Sequence, residues 1–165
     1  MKKVFKACLF IVMVVCTLMF CESKVYAISV IEAYDMAMLE KINDYRKENG
    51  LAPLEYNKDL VSVAEVRVKE LPVSFEHKRP NGESYKTVYN ELGLNNKFER
   101  GSENIAQFNV NEFGSGDEYV DAIFEAYTES ESHNLNMLKP YWEYYGGSFL
   151  INCDGNSYQI QVFAR

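Results

Sequence analysis

The residues best suited to chemistry in this chain are two histidines and one glutamate. Among 165 residues there are only two histidines, His77 and His133, and Glu103 lies between them in the run Gly101-Ser102-Glu103-Asn104-Ile105-Ala106. Imidazole nitrogens and a carboxylate oxygen are suitable ligands for zinc or another borderline divalent ion. If the fold brings these three side chains into one cleft, they form a site with a coordination position open to water or a ligand.

Each histidine alone has a more ordinary interpretation as a hydrogen-bonded structural residue. His77 precedes the turn Arg79-Pro80-Asn81-Gly82 and lies in a loop, where functional side chains are common. His133 follows Ser130, a residue type that is suited to begin a helix as its N-cap. The distance between the histidines in sequence is unlike the local motifs of zinc enzymes, so only the tertiary fold can unite them.

The N-terminus has the pattern of a secretory leader. Three lysines precede an uncharged apolar run over residues 7–21, and Ala27 ends a small-residue pattern of the kind that signal peptidase cleaves. The run is shorter than the ~20 residues of a membrane span, and bulky Phe20 disfavours lipid attachment at Cys21. We therefore predict cleavage after Ala27, a secreted domain over residues 28–165, and no stable membrane anchor.

The charge balance argues against acidic partners. The full chain carries a net charge of −7, and cleavage would remove four of its 17 Lys and Arg and one of its 24 Asp and Glu, leaving −10. An acidic domain of this kind is unsuited to nucleic acid or to anionic lipid. We expect an extracellular monomer whose partner is a small ligand or another extracellular protein.

The cysteines indicate a bacterial exported protein. Three of the four would leave with the leader, so that only Cys153 would remain and no internal disulfide could form. An exported domain without disulfides fits a bacterial source better than a eukaryotic secreted scaffold. Cys153 ends an apolar run, and we expect it to be a small buried residue rather than a thiol nucleophile.

The hydrophobic periodicity predicts helices first and a β-hairpin last. Asp154-Gly155 separates two runs rich in aromatic and β-branched residues, which is a strong hairpin signal. Helices followed by strands indicate an α+β domain with a small antiparallel sheet. The predicted helices cover residues 31–49, 58–71, 83–92, 117–129 and 134–138, and the predicted strands cover 103–108, 144–153 and 158–164.

Six stretches occur in an order that resembles the bacterial branch of the CAP superfamily. This superfamily is the SCP-like extracellular domain of cysteine-rich secretory proteins, venom allergens and plant pathogenesis-related proteins. The matching stretches are Ile42-Asn43-Asp44-Tyr45-Arg46 with Asn49-Gly50-Leu51-Ala52-Pro53-Leu54, Ala64-Glu65-Val66-Arg67 with Lys69-Glu70-Leu71, His77-Lys78-Arg79-Pro80-Asn81-Gly82, Glu103-Asn104-Ile105-Ala106, Ser130-Glu131-Ser132-His133-Asn134-Leu135-Asn136-Met137-Leu138, and Tyr158-Gln159-Ile160-Gln161-Val162-Phe163.

The resemblance implies a three-layer α-β-α sandwich with a surface cleft. It assigns His77, Glu103 and His133 to cleft positions at which some members bind zinc or another divalent metal. It also implies that Asn104 and Ser130 line the ligand cleft.

The chain departs from the family pattern at three points. Ser102 stands where the family usually has glycine before the glutamate, and a serine would be strained if that position required a positive φ. Tyr127 stands where many bacterial relatives carry tryptophan. Many eukaryotic members add a second cleft glutamate, for which Glu125 and Glu129 are the candidates here by proximity in sequence.

Three classes of function remain open after these observations. The favoured one is a non-enzymatic binding module whose cleft holds a divalent metal, such as Zn²⁺, or a small ligand, including a lipidic one. The second is a metal-dependent hydrolase with Glu103 as general base, and the third is an extracellular interaction domain with a vestigial cleft. A serine hydrolase built on Ser132 lacks a nucleophile-elbow motif, and a sugar site at residues 141–145 is less expected than an amphipathic strand edge.

Overall fold

The structure is a computed structural model, and it describes residues 30–165. Residues Tyr34–Arg165 form a compact unit. The predicted leader, residues 1–27, lies outside the described residues. Within residues 30–165, no helix is both long enough and apolar enough to cross a membrane.

Five helices and four strands build the described chain. Helix α1 covers residues 30–48. The remaining elements in chain order are β1 (Glu55–Tyr56), α2 (Lys58–Glu70), α3 (Thr87–Glu91), β2 (Gly101–Asn109), a 3-10 turn (Val110–Glu112), α4 (Gly116–Glu129), α5 (Glu131–Met137), β3 (Tyr144–Ile151) and β4 (Asn156–Ala164).

The four strands form one sheet in the order β1-β3-β4-β2. The hairpin β3–β4 is antiparallel, as the Asp-Gly signal predicts, and Gly155 occupies the turn with a positive φ of 85° that favours glycine. Strand β2 pairs antiparallel with β4 over nine residues and forms one edge of the sheet. The two-residue strand β1 pairs parallel with β3 at the other edge, and it is too short for its periodicity to be recognised in the sequence.

One face of the sheet packs against α2 and α3. Because side chains alternate along a strand, Glu103 and Ile105 of β2 share this face with Ile160 and Val162 of β4. The apolar positions of α2 cover it. The core cluster on this side contains Leu60, Val63, Ala64, Val68, Leu71, Val88, Tyr89, Ile105, Tyr158, Ile160, Val162 and Ala164.

The opposite face packs against α1, α4 and α5. Tyr127 of α4 donates a hydrogen bond to the side-chain oxygen of Gln159 (2.5 Å), and Asn136 of α5 donates to Asn104 (2.9 Å). The Tyr145 hydroxyl donates to the buried carboxylate of Asp35 in α1 (2.7 Å). Helices therefore cover both faces, and the predicted three-layer α-β-α sandwich is confirmed.

Three local expectations differ from the structure. Helix α5 begins at Glu131, so His133 lies inside a helix rather than at a junction before one. Cys153 is exposed, so its predicted burial is wrong: β3 ends at Ile151, and the cysteine falls in the hairpin turn instead of the strand. The predicted third helix shortens to Thr87–Glu91, because residues 83–86 form a turn that pairs with the preceding loop.

Helix α2 lies very close to the sheet at Gly146. A Cβ added there would lie 2.4 Å from the main-chain nitrogen of Val61 and 2.6 Å from the carbonyl carbon of Leu60. Both atoms belong to the helix backbone, so the helix itself would have to move. Glycine at this position therefore sets how deeply α2 lies against β3.

We expect Gly146→Ala to lower the free energy of unfolding by roughly 1–3 kcal/mol, the usual cost of overpacking a core. Gly114→Ala is the matched control, because its nearest neighbour is the flexible carboxylate of Glu118 at 3.0 Å. Urea unfolding monitored by circular dichroism measures both variants. Equal stability of the two would contradict the close helix–sheet contact.

Candidate functional site

A buried ion pair between α2 and β2 forms the base of the candidate site. Arg67 lies on the same stripe of α2 as its apolar core residues, and Glu103 points from β2 towards that helix. The Nε and Nη2 of Arg67 donate to the two carboxylate oxygens of Glu103 at 3.1 and 2.9 Å. Both side chains are almost completely buried. This two-pronged pairing fixes the position and orientation of the Glu103 carboxylate.

The pair continues outward as a chain of alternating charges. Arg67 also donates to Glu70 (2.5 Å), and Arg79 bridges Glu70 (2.6 Å) and Glu91. Burial acts to lower the pKa of Arg67, but the hydrogen bonds and charges of Glu103 and Glu70 outweigh it and raise that pKa above its ordinary value. The guanidinium therefore stays charged.

His77 reaches Glu103 from the loop after α2. Its Nδ1 lies 3.1 Å from Oε1 of Glu103, and its side chain remains 56% exposed. A carboxylate that already accepts from Arg67 can only accept, so Nδ1 carries the hydrogen and donates it. In neutral His77 the lone pair is then on Nε2, the nitrogen turned away from Glu103.

His133 approaches from α5, on the other side of β2. Its ring meets the Tyr127 ring edge-on, with centroids 5.2 Å apart. Burial, and secondarily the charge of His77, lowers the pKa of His133 below 6.5. His133 is therefore held in its neutral form near pH 7.

Asn104 fixes α5 against β2. Its side-chain nitrogen donates to the main-chain oxygen of His133 (3.2 Å) and to Gln161 (2.9 Å), and its oxygen accepts from Asn136 (2.9 Å). Glu103 and Asn104 are adjacent in sequence and point to opposite faces of the sheet. Neighbouring residues of one strand thus hold the two histidine-bearing segments.

The far end of α5 is held by Arg46 of α1. This buried guanidinium donates to four main-chain oxygens, which are those of Ala52 (2.9 Å), Met137 (2.7 Å), Lys139 (3.1 Å) and Trp142 (3.4 Å). A cation at a helix C-terminus complements the helix dipole. Burial lowers the pKa of Arg46. The residue therefore fixes where α5, and with it His133, lies.

The remaining sequence-predicted residues lie as follows. Ser130 precedes α5, but its side chain does not cap the helix, and its hydroxyl lies 3.4 Å from that of Ser132. Ser102 has a negative φ, since every non-glycine residue between 30 and 165 does, so it is not strained. Glu125 and Glu129 are exposed on α4, and within the described residues neither carboxylate forms a hydrogen bond or ion pair with His77, Glu103 or His133.

The residue that sequence reasoning missed is Arg67. It lies in one of the stretches that resemble the family, but the resemblance assigned it no role. The signal was available: Arg67 lies three residues after Ala64 and seven after Leu60, which places a charge on the apolar stripe of α2. A buried charge requires a buried partner, and Glu103 fills that role.

A tyrosine pair lies beneath the ion pair. The Tyr85 hydroxyl donates to the main-chain oxygen of Gly101 (3.1 Å), and burial, together with the charge of Glu103, raises the pKa of Tyr85 to about 12. The neighbouring Tyr89 hydroxyl is buried without a hydrogen-bond partner in the described part of the chain. Both hydroxyls stay protonated at neutral pH.

Of the three predicted ligands, only the two imidazoles are suited to contact a metal ion directly. In residues 30–165, no group of three or more His, Cys, Asp and Glu side chains is arranged to hold a metal, and Arg67 engages both oxygens of Glu103. The chemistry of the donors nonetheless suits a site of two neutral imidazoles. In such a site Glu103 orients His77 through Nδ1, as carboxylates commonly do behind metal-binding histidines.

A sheet covered by helices on both faces, with two histidine-bearing segments beside its edge strand, is the arrangement to be compared with known families. The model of the Cysteine-rich secretory protein family, CAP, matches residues 39–163. The chain therefore belongs to the CAP family.

Relatives from bacteria agree with this assignment. The Bacillus subtilis protein described as "Uncharacterized protein YkwD" is 25% identical over 124 residues, which cover 74% of this chain and 44% of that protein. An extracellular SCP-domain protein of Bacillus anthracis is similar in structure, with a TM-score of 0.65, 19% identity, and 82% of this chain and 41% of that chain covered. The chain thus spans less than half the length of either relative.

A shorter relative has a length closer to that of this chain. An outer surface protein from Borrelia burgdorferi gives a TM-score of 0.64 at 19% identity, with 77% of this chain and 88% of that chain covered. At such identities the likeness extends to the fold alone. These relatives support a CAP/SCP-type protein of the bacterial kind.

The ion pair predicts a large effect of a nearly isosteric change. Glu103→Gln leaves Arg67 without its anionic partner, and we expect a loss of roughly 3–5 kcal/mol in the free energy of unfolding. Glu48→Gln, at an exposed position on α1, is the control and should change little. Urea unfolding near neutral pH provides the measurement. A loss below ~1 kcal/mol for Glu103→Gln would show that the pair is not buried as described.

His133 predicts a pH dependence of stability. Because its folded pKa lies below 6.5, the folded state binds fewer protons than the unfolded state as the pH falls through 6.5. Stability therefore decreases from that pH down to the lowered pKa, and the full penalty is present below it. We expect His133→Asn to reduce the difference in unfolding free energy between about pH 7.5 and pH 5.5.

NMR titration of the imidazole protons measures the same property directly. The midpoint for His133 should lie below 6.5, and it should rise in His77→Ala, which removes the secondary electrostatic cause. A midpoint at or above 6.5 in the native protein would contradict the burial of this ring.

Proposed function

We propose that this chain is an exported bacterial binding module whose cleft at His77, Glu103 and His133 takes a divalent metal ion of the Zn²⁺ type. The two imidazoles are the protein ligands, and Glu103 accepts a hydrogen bond from His77 and orients its ring. The coordination positions that the protein does not fill are open to a small exogenous ligand. Bound metal would supply Lewis-acid affinity for that ligand.

The observation that carries this proposal is the contact between His77 Nδ1 and Glu103. A histidine that donates from one nitrogen to a fixed carboxylate presents the other nitrogen as a lone-pair donor in one orientation. The depressed pKa of His133 keeps the second imidazole neutral, which is the form that binds metal. Zinc and other borderline ions prefer such nitrogen donors, whereas Mg²⁺ prefers oxygen.

Asn104 and Ser130 are the further cleft residues in this proposal. Asn104 holds the main chain at His133 and thereby maintains the distance between the imidazoles. The Ser130 hydroxyl, at the start of α5, is available for a small ligand. Export, through the leader predicted over residues 1–27, is part of the same proposal and fits the family's typical extracellular location.

The geometry does not favour the hydrolase alternative. A general base must be free to take a proton from a bound water, but both oxygens of Glu103 accept hydrogen bonds from Arg67 and one also accepts from His77. The Glu103 carboxylate therefore orients His77 rather than accepting a proton from a bound water. The vestigial-cleft alternative remains the outcome to which a negative metal experiment would lead.

Metal binding predicts a thermal shift. With Zn²⁺ at about a hundredfold excess over Kd, the purified, chelator-treated protein should gain roughly 2.7 kcal/mol, which is an increase of roughly 5–10 °C in Tm. Mg²⁺ should give no shift. His77→Ala and His133→Ala should each abolish the gain, whatever their own starting Tm.

A second variant tests the role assigned to Glu103. Isothermal titration of Glu103→Gln, at a temperature where it is folded, should show zinc affinity reduced by roughly 10–100-fold, and the exposed control Glu48→Gln should bind as the native protein does. No zinc-dependent shift in the native protein would overturn the proposal.

A further inference from the structure

The outer edge of β2 carries main-chain groups whose direction can be derived from the register. Arg165 donates to the main-chain oxygen of Arg100, and Val110 donates to that of Gly155, at the two ends of the β2–β4 ladder. In an antiparallel pair every second residue directs its main-chain N–H and C=O groups towards the partner strand. The even-numbered residues of β2 therefore bond to β4, and Glu103, Ile105 and Gln107 direct their N–H and C=O groups away from it.

These outward groups lack a hydrogen-bond partner among residues 30–165. Glu103 and Ile105 are only 5% and 7% exposed, whereas Gln107 is exposed, so the edge is recessed at the first two residues and opens to solvent at Gln107. Unpaired main-chain groups in a buried position are rare in native proteins because each costs free energy comparable to a lost hydrogen bond. The recess is therefore suited to a ligand that supplies main-chain donors and acceptors.

The edge also lacks several of the features that normally block strand addition. Proteins protect edge strands with prolines, bulges or short length. Strand β2 pairs with β4 without a bulge over nine residues and contains no proline. Its exposure is low at Glu103 and Ile105, and the charge of Glu103, the one charged side chain of the strand, is neutralised by Arg67.

Two walls border this edge. On the face of the sheet that packs against α2, the loop after α2 contributes His77 beside Glu103, and Phe75 packs on Tyr158 with ring centroids 6.3 Å apart while remaining 44% exposed. On the opposite face, α5 lies over Asn104. Side chains of an added strand would alternate between these walls.

We propose that the outer edge of β2 receives an extended peptide segment of another protein as a fifth strand. Main-chain hydrogen bonds to Glu103, Ile105 and Gln107 supply the affinity, as in other strand-addition sites. A second copy of this chain is disfavoured as the occupant, because its own β2 edge is equally recessed and two recessed edges cannot meet.

Charge complementarity favours a peptide with positive side chains. Segment Gly116–Met137, which forms α4 and α5 beside this edge, contains six Asp and Glu and no Lys or Arg. Like charges would repel an acidic peptide from this wall, whereas a basic one would be attracted. The inference goes beyond the proposed metal binding and does not need the metal.

The first test uses the free protein. Hydrogen exchange followed by NMR should show the amides of Glu103, Ile105 and Gln107 exchanging at least ~100-fold faster than those of Asn104 and Ala106. Equal protection of the two sets would mean that the edge is already paired, and the inference would fail.

The second test identifies a ligand from a random dodecapeptide library displayed on phage and selected in the presence of EDTA. Enriched peptides should contain Lys or Arg, and a synthetic copy should slow exchange at the three outward amides at least tenfold. Methylation of peptide nitrogens at alternate positions should abolish binding for one set and spare it for the other. No enrichment, or binding without protection of these amides, overturns the inference.

Gln107→Pro tests the edge from the protein side. It removes an outward N–H without removing a bond to β4, which proline tolerates at an edge, and it should weaken peptide binding at least tenfold. Gln107→Ala keeps the amide and should bind within twofold of the native protein. If Gln107→Pro does not fold, the methylated peptides decide.

Because EDTA removes any metal and the zinc shift is measured without peptide, failure of one proposal is distinguishable from failure of the other.

Discussion

The buried pairing of Arg67 with Glu103 is the constraint on which the site depends. It joins α2 to the edge strand of the sheet, and the same carboxylate accepts from His77. A buried guanidinium without a partner would be strongly unfavourable, so the helix, the strand and the loop must assemble together. Gly146 sets the depth of α2 against the sheet, and that depth determines whether Arg67 can reach Glu103.

Strand β2 organises the candidate site because its neighbouring residues face opposite layers. Glu103 contacts the layer of α2, and Asn104 contacts the layer of α5, so His77 and His133 approach the strand from either side. This arrangement suits an edge strand, since a central strand would have a neighbouring strand on the side that β2 leaves open. The edge position thus explains how segments from both layers approach Glu103 and Asn104.

Most of the architecture could be predicted from local patterns. The helix predicted over residues 58–71 and the Asp-Gly turn each correspond to an element of the structure. The prediction failed where a strand was too short to show an alternating pattern. It also failed where the exposure of a residue depended on the point at which a strand ends. Strand β1 has two residues, and Cys153 is exposed because the strand before it ends two residues earlier.

The sequence by itself determined the residue types available for a site, the order of the helices and the terminal hairpin. Two histidines, one central glutamate and an acidic surface are properties of composition and spacing, and physical chemistry limits what they can bind. Only the tertiary structure decided that Glu103 is held by Arg67 and that α5 presents His133 across the strand. The reason is that these contacts join segments about 30 residues apart or more, and local propensity contains no information about how helices pack on a sheet.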